Sequence, residues 1–417
     1  MIDMNDFRAR VDAYRTAARV KRIAGCDVDL VLELDAQRRA LLTEAEGLRQ
    51  QRNNAARAQD RAAGAAVGQR LDLVEAEMRD VEAEFARAVL FVPSIPAADV
   101  PIGETDNDNV VVRQVGDVPE FEFEARDHLE LAALHNWIVN DERIRAFAGA
   151  RAYALMGDLA LLEIAVLRFA MDFVVARGFT AVAPPVMVRA EAMTGTGYFP
   201  VGEENAYGIE RDGMYLVGTA EVPLAAMQTG RTFETGELPL RLAGLTPCFR
   251  REAGAAGRDT RGLYRVHQFQ KVEQIVVCEN EPELIHNMHA ELLGNAEALL
   301  TALELPYRVV AVCTGELGLG QVRKHDIETW MPSRATYGET HSCSTLAEFQ
   351  ARRLGIRYRD AERRKRFACT LNNTALATPR ILIPLLECHQ RANGTIHVPV
   401  ALRAYLGNRE VLGAAYP

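Results

Sequence analysis

Two runs near the middle of the chain carry residue types that could do chemistry together. Cys248-Phe249-Arg250-Arg251-Glu252 and Arg261-Gly262-Leu263-Tyr264-Arg265-Val266-His267-Gln268-Phe269-Gln270-Lys271-Val272-Glu273 both read as β-like, and a loop rich in glycine and arginine, from Ala253 to Thr260, separates them. Alternate residues of a strand share a face. Arg250 and Glu252 therefore point together, as do Arg265, His267, Phe269, Lys271 and Glu273. A face of cations, acids and an aromatic ring is hard to bury as a core. It has what a nucleoside triphosphate site needs: cations for phosphates, a ring to stack on a base, and a carboxylate for an ammonium group. From spacing alone a second reading stands beside it, the solvent-exposed face of an edge hairpin.

Other candidate features read as structural. Gly315-Glu316-Leu317-Gly318-Leu319-Gly320 imitates a nucleotide-binding glycine loop, but no Gly-Lys-Ser/Thr follows, so it reads as a turn. His267 reads as a packed or hydrogen-bonded side chain rather than a base. The seven cysteines are scattered and form no CxxC pair, which argues against a disulfide framework and a zinc knuckle and fits reduced thiols of a cytosolic protein. The N-terminal residues Met1 to Arg22 mix charges without an apolar segment, so no signal peptide is expected. The apolar run near Leu159 to Val175 is broken by Glu163, Arg168 and Asp172, which suits a buried helix rather than a membrane span.

The elements that must position these residues fall into two textures. From about Val31 to Val92 there is no proline, and Leu71, Val74, Met78, Val81, Phe85, Ala88 and Val92 alternate steps of three and four. That is a heptad seam. A weaker seam of Val31, Leu34, Leu41, Ala45, Leu48 and Ala55 precedes it, interrupted by Arg38 and Arg52, with a turn expected at Ala63 to Gly68. The simplest reading is an antiparallel helical hairpin whose helices, at about 24 residues each, extend about 36 Å. The net charge of −9 gives no global sign of a nucleic-acid partner. The expected tip of the hairpin, however, gathers Arg49, Arg52, Arg57, Arg61 and Arg70 against Asp60. Such a patch is either a solvated helix surface or a seat for an RNA backbone, which rewards cations by counterion release.

Prolines at 93 and 96 end the arm, and a polar linker at Gly103 to Asn109 follows, giving expected domains at 1–109 and 110–417. Beyond it, a helix at Leu159 to Arg177 and β-like runs at Met214 to Val217, Arg265 to Val277, Tyr307 to Val312 and Asp326 to Trp330 predict an α+β unit. Its sheet should be mostly antiparallel and flanked by helices. The apolar helix from Met156 to Met171 reads as core.

With these elements in order, the chain resembles the class II aminoacyl-tRNA synthetases in their seryl branch. Phe249 to Glu273 resembles motif 2. Thr219-Ala220-Glu221-Val222-Pro223-Leu224 resembles the loop that holds serine, and Gly178-Phe179 through Pro184-Pro185 resembles motif 1, which builds a dimer interface. Leu371 to Arg380 resembles motif 3, and the hairpin resembles the tRNA-binding coiled coil. The resemblance implies a serine–tRNA ligase, with seryl-adenylate as intermediate, serine tRNA (and in this family selenocysteine tRNA) as acceptor, and a cytoplasmic homodimer with no membrane or DNA partner.

The same resemblance implies residue roles. Arg250 would bridge the α-phosphate and the serine carboxylate, Glu252 would meet the adenine amino group, the Val266 backbone the adenine ring, and Phe269 would stack on it. Arg265 and Arg380 would hold the triphosphate; Arg250, Glu252 and Arg380 form the catalytic set. Thr219, Ala220, Glu221, Glu273 and Thr374 would surround serine. Arg251 and the run Glu339-Thr340-His341-Ser342 would join the ATP site, with Glu339 and Ser342 on magnesium. Arg49, Arg52, Arg57 and Arg61 would meet tRNA. His341 and Cys343 raise the thought of zinc, but Thr219 and Thr374 match the zinc-free type, so none is expected. Two departures stand out: Arg251 where the family has serine, and Gly338 where it has arginine. The arm also reads as shorter than in many bacterial relatives.

Two rivals remain. A paralogue could activate serine or another small amino acid for a non-tRNA acceptor, and would then have no use for the arm. A non-catalytic RNA-binding module would have eroded Arg250, Glu252, Glu273, Glu339 or Arg380, all of which are present.

Overall fold

The computed structural model describes residues 2–253 and 262–413; most of the glycine- and arginine-rich segment, 254–261, lies outside the described residues. The chain divides into two compact units at Ile95/Pro96 rather than near Asn109. The reason is local. Residues after Pro96 bond to the C-terminal unit, through Ala97 N–H to Val322 O at 2.8 Å, Thr314 N–H to Pro101 O at 2.9 Å and Gly315 N–H to Gly103 O at 2.9 Å.

The N-terminal unit is built on a hairpin of helices α1 (Val28–Arg57) and α2 (Arg61–Ala88). At 30 and 28 residues they run longer than expected, about 45 and 42 Å at 1.5 Å per residue. The turn is Ala58 to Asp60, not the glycine-bearing stretch after it. Asp60 is the cap: its side chain accepts from Ala63 N–H at 2.9 Å, so helix begins at once and absorbs Gly64 and Gly68. The seam closes where its pattern places it, with Leu41, Ala45, Leu71 and Val74 buried together. Arg38 does not interrupt it. The guanidinium lies 4.6 Å from the centroid of the Phe85 ring, and the fully buried Asp35 gathers Arg8, Arg38 and Arg39 at 2.9, 3.4 and 3.1 Å. Asp35 is the seam's hidden anchor, a role its acidic letter does not suggest.

The C-terminal unit carries an eight-stranded sheet. In chain order the strands are β1 (Val110–Val115), β2 (Thr180–Val182), β3 (Leu240–Phe249), β4 (Gln268–Cys278), β5 (Tyr307–Ala311), β6 (Arg323–Met331), β7 (Thr336–Ala347) and β8 (Cys369–Thr378). Their order across the sheet is β1-β5-β6-β7-β8-β4-β3-β2. Every pairing is antiparallel except β2 with β3. The expected run at Met214 belongs elsewhere, to a separate three-stranded sheet.

Two helices, α3 (Gly157–Val175) and α4 (Pro282–Ala302), bury the same face of this sheet. Proline suits the first turn of α4, where its missing N–H would have no partner in any case. Alternation then decides which strand residues lie under the helices. On β4, Val272, Val276 and Cys278 join Leu162, Val166, Leu292 and Leu299 in the core, which leaves Phe269, Lys271 and Glu273 for the opposite face. Helix α3 is only partly core. Leu159, Leu162, Ala165, Val166 and Ala170 are buried, whereas Leu161 and Ile164 are 46% and 64% exposed. The apolar stripe of α3 is thus wider than the face the sheet covers.

Candidate active site

The opposite face of the sheet, partly covered by the short helices Glu221–Ala226 and Phe349–Leu354, holds a cleft of about 260 Å³. Its floor is β4, β7 and β8, and its rim includes Arg250, Glu252 and Leu263 to Val266, from the described ends of the connection between β3 and β4. Among its lining residues are Arg250, Glu252, Arg265, Val266, Phe269, Lys271, Glu273, Glu339, Ser342, Thr374 and Arg380, with Glu221 and Tyr198 at one end. Residues far apart in sequence thus converge.

The local reasons differ from simple strand alternation. Strand β3 ends at Phe249 and β4 begins at Gln268, so Arg250, Glu252, Arg265 and Val266 lie in the connection, not on strands. Two hydrogen bonds tie its described ends together: Arg250 N–H donates to His267 O at 2.9 Å, and the His267 side chain donates through Nδ1 to Arg250 O at 3.0 Å. His267 is therefore a latch on the loop. Glu252 sits at φ +53°, a left-handed conformation that costs energy for a non-glycine residue and recurs at functional sites. That twist brings its carboxylate to Arg265, Nη1 to Oε2, at 2.6 Å. The buried Nε of Arg265 has no acceptor among the described residues. The Arg250 guanidinium stands 5.2 Å from the Phe269 ring centroid and its Nε donates to Gly218 O at 3.3 Å.

Two β-bulges complete the floor. Across β4 and β8, Val272 pairs with Leu376 but Glu273 with Thr374, so Ala375 is extra. Asn372 and Thr374 face the cleft before the bulge, and Ala377 faces it after. Across β6 and β7, Ile327 pairs with His341 but Glu328 with Glu339, so Thr340 is extra. This brings Glu339 and Ser342, three apart, to one site. The side chain of Thr340 turns to Thr329, hydroxyl to hydroxyl at 2.6 Å, and His341 Nδ1 lies 2.8 Å from Thr340 Oγ1. Burial lowers His341 to about 4, so it is neutral at physiological pH.

Charge is ordered along the cleft. Burial raises the Glu339 carboxyl, but Arg380, Lys324, Arg250 and Arg265 outweigh it and hold the group below its ordinary range. Arg380 also donates to Glu339 O at 2.9 Å and to Tyr264 O at 3.2 Å, and stacks 4.4 Å from the Tyr264 ring centroid. At the other end, Glu273 forms an ion pair with Lys271. Glu221 accepts from Tyr198 Oη at 2.8 Å and Gln350 Nε2 at 2.7 Å. Burial and the nearby Glu273 push Glu221 up to about 7. Arginines thus gather at one end and a carboxylate pair at the other.

Three expected site residues do not line the cleft. Ala220 is packed in the core with Leu224 and Leu242, and a Cβ added at Gly244 would lie 3.2 Å from the Ala220 methyl. Thr219 is buried and its hydroxyl accepts from Glu221 N–H at 3.2 Å, so it shapes the turn that carries Glu221. Arg251 is exposed and its backbone N–H donates to Asn205 O at 2.9 Å, on the far side of the chain from Arg250. Conversely, Tyr198, Lys324 and Gln321 line the cleft without a sequence signal. Gly338 has a physical reason: a Cβ there would lie 3.0 Å from Met331 and 3.2 Å from Tyr264. Gly320, from the imitation nucleotide loop, lets the Phe349 ring approach to 2.4 Å of where a Cβ would be. Cys343 is buried with the helices on the other face, away from Ser342. Among the described residues no group of three or more His, Cys, Asp or Glu side chains is placed to hold a metal ion.

On the arm, Arg49 pairs with Glu75 and Arg70 with Glu44, both at 2.7 Å across the two helices. Arg52, Arg57 and Arg61 are exposed near the turn.

An antiparallel sheet with helices on one face and an arginine-lined cleft on the other defines the catalytic unit of a class II aminoacyl-tRNA synthetase. Comparison agrees: the class II tRNA synthetase core domain (G, H, P, S and T) matches residues 207–389, and the seryl-tRNA synthetase N-terminal domain matches residues 1–96. The serine–tRNA ligase of Deinococcus radiodurans is 46% identical over 99% of both chains, and that of Rubrobacter xylanophilus 42% over the whole of both. The crystal structure of seryl-tRNA synthetase from Pyrococcus horikoshii complexed with ATP superposes with a TM-score of 0.92 at 33% identity, covering 99% of each chain. The chain belongs to the seryl-tRNA synthetase family, whose members join serine to tRNA, and it is an enzyme of that kind. No helix among the described residues is long and apolar enough to cross a membrane.

Proposed function

We propose that the cleft binds ATP and serine side by side and catalyses both halves of serine–tRNA ligation with the residues lining it. The carrying observation is the convergence of Arg250, Arg265, Arg380 and Phe269 with Glu221, Glu273 and Thr374 in one space. Phe269 stacks on adenine, Glu252 and the Val266 backbone meet its edge, and Arg265 and Arg380 hold the phosphate tail. Glu221 and Glu273 take the serine ammonium group, and Thr374 its hydroxyl.

In the first half-reaction a serine carboxylate oxygen attacks the α-phosphorus. A new O–P bond forms, the α–β bridge breaks, and pyrophosphate leaves with that electron pair. In the second, a terminal ribose hydroxyl of tRNA attacks the acyl carbon and AMP departs. No side-chain nucleophile is required; Arg250, Arg265 and Arg380 stabilise charge that grows on phosphate oxygens. Magnesium fits the residues present, since Glu339 is ionised and Ser342 adds a hydroxyl oxygen beside it. One carboxylate plus substrate phosphates is a usual magnesium environment. When bound, the ion would neutralise phosphate charge.

Preference for serine over alanine follows from unpaired partners left behind when the hydroxyl is missing. The uncovered apolar stripe of Leu161 and Ile164 supports a homodimer built on α3. The basic turn of the arm supports binding of the serine tRNA backbone, and the family supports a cytoplasmic setting. The test is amino-acid-dependent ATP–pyrophosphate exchange with serine, threonine, alanine, cysteine and glycine. Serine should dominate; exchange with glycine or alanine equal to serine overturns the assignment. Charging of serine tRNA should be lost on deleting residues 31–92, and retained charging refutes the role of the arm.

A further inference from the structure

Behind the amino-acid end of the cleft lies a buried amide that none of the chemistry above uses. Gln350, in the short helix Phe349–Leu354, has no exposed surface. Its Nε2 donates to Glu221 Oε1 at 2.7 Å and to Thr196 O at 3.1 Å. Its Oε1 accepts from the Thr370 hydroxyl at 2.7 Å. The amide has one workable orientation. Turned over, it would aim its oxygen at the Thr196 carbonyl, an acceptor with no proton to give, and at the charged form of Glu221.

Thr370 is itself fully buried and lies on β8, four residues before Thr374 on the same face. One rigid strand thus carries a hydroxyl lining the cleft and the anchor of the amide behind Glu221. Glu221 needs such support. It is buried beside the like charge of Glu273, with Tyr198, Lys271 and Arg250 as the other titratable groups facing it. Its two oxygens are each held by one neutral donor, Tyr198 or Gln350. Removing either donor leaves a buried acceptor unsatisfied, which favours protonation or rotation out of the cleft.

We propose that Gln350, oriented by Thr370, is a positioning residue that keeps the Glu221 carboxylate charged and aimed at the serine ammonium group. This rests on the assignment of the cleft given above and adds the residues that set its amino-acid affinity from behind. Because Gln350 touches neither substrate, its loss acts on serine and not on ATP.

The experiment compares Thr370→Val, Thr370→Ser and Gln350→Leu in the full-length protein by ATP–pyrophosphate exchange from pH 6.5 to 8.5, with thermal melting alongside. Thr370→Val removes the anchor at constant shape. It should raise the KM for serine roughly fivefold to tenfold, the value of one hydrogen bond, with the KM for ATP and kcat within about twofold. The rise should be larger at pH 6.5 than at 8.5, because a loosened Glu221 takes up a proton more readily. Thr370→Ser keeps the hydroxyl and should behave as the unmodified enzyme. Gln350→Leu should exceed Thr370→Val in the same direction, and if it melts early the valine variant alone decides. Equal rises in both KM values, no rise at all, or failure of the serine variant to rescue overturn the positioning role. If the unmodified chain shows no serine-dependent exchange, the assignment of the cleft falls and this proposal with it.

Discussion

Replacing Glu221 by glutamine should make the protein more stable and less able to use serine, and the stability gain should depend on pH in a stated direction. The folded-state carboxyl is raised to about 7 from an ordinary 4.5, by burial and by Glu273. A raised carboxyl keeps its proton in the folded state at pH values where the unfolded chain has already released it. Stability therefore falls as pH climbs from about 4.5 to 7, and stays low above 7. At about 1.4 kcal/mol per pH unit, this group removes roughly 2–3 kcal/mol between pH 5 and pH 8. Glutamine has the shape and hydrogen-bonding capacity of the protonated acid and cannot titrate. It can still accept from Gln350 Nε2 and meet Tyr198 Oη. The variant should thus melt close to the unmodified protein at pH 5 and above it at pH 8. For a unit of roughly 320 residues, the gap at pH 8 should be about 4 °C. The assay is calorimetry of both proteins across this range, paired with pyrophosphate exchange, where serine kcat/KM should drop at least about tenfold for loss of one charge facing an ammonium group. A gap that is flat with pH, or that widens toward acid, refutes the assignment of the strain to Glu221. A stable variant with undiminished serine use refutes its place in the amino-acid site.

Other outcomes follow from the same geometry. Arg265→Met removes the 2.6 Å partner of Glu252; the KM for ATP should rise about tenfold or more with that for serine little changed, in steady-state exchange. Gly338→Ala pushes a methyl toward Met331 and Tyr264; a small loss of stability, about 1 kcal/mol, and a modest rise in the KM for ATP should appear in melting and kinetics. Changing Arg52, Arg57 and Arg61 together to alanine should leave pyrophosphate exchange intact, weaken tRNA binding and flatten its salt dependence, measured by filter binding. Ile164→Asp places a charge on the exposed stripe of α3, and sedimentation should show the proposed homodimer of the unmodified protein replaced by monomer.

Much of the cleft lining was legible in the letters, though strand alternation accounts for only part of it. Phe269, Lys271 and Glu273 do share a strand face. Arg250, Glu252 and Arg265 reach the same cleft from a connection, by a left-handed turn and a latch at His267 that no alternation describes. The turn of the arm was misplaced because glycine draws attention, whereas Asp60 capping Ala63 N–H starts a helix through it.

What sequence alone determined is what repeats or follows local preference: the heptad seam, the class of fold, and the residue types needed for phosphates and an ammonium group. Period and composition carry those over short stretches of chain. What the tertiary structure decided are the extra residues at Thr340 and Ala375 that bring Glu339 to Ser342 and Thr374 to the floor. It also decided the exclusion of Thr219, Ala220 and Arg251 from the cleft wall, and the amide of Gln350 behind Glu221. Register, bulges and buried donors depend on which strands become neighbours. That is an energy balance over the whole sheet, and no window of local sequence contains it.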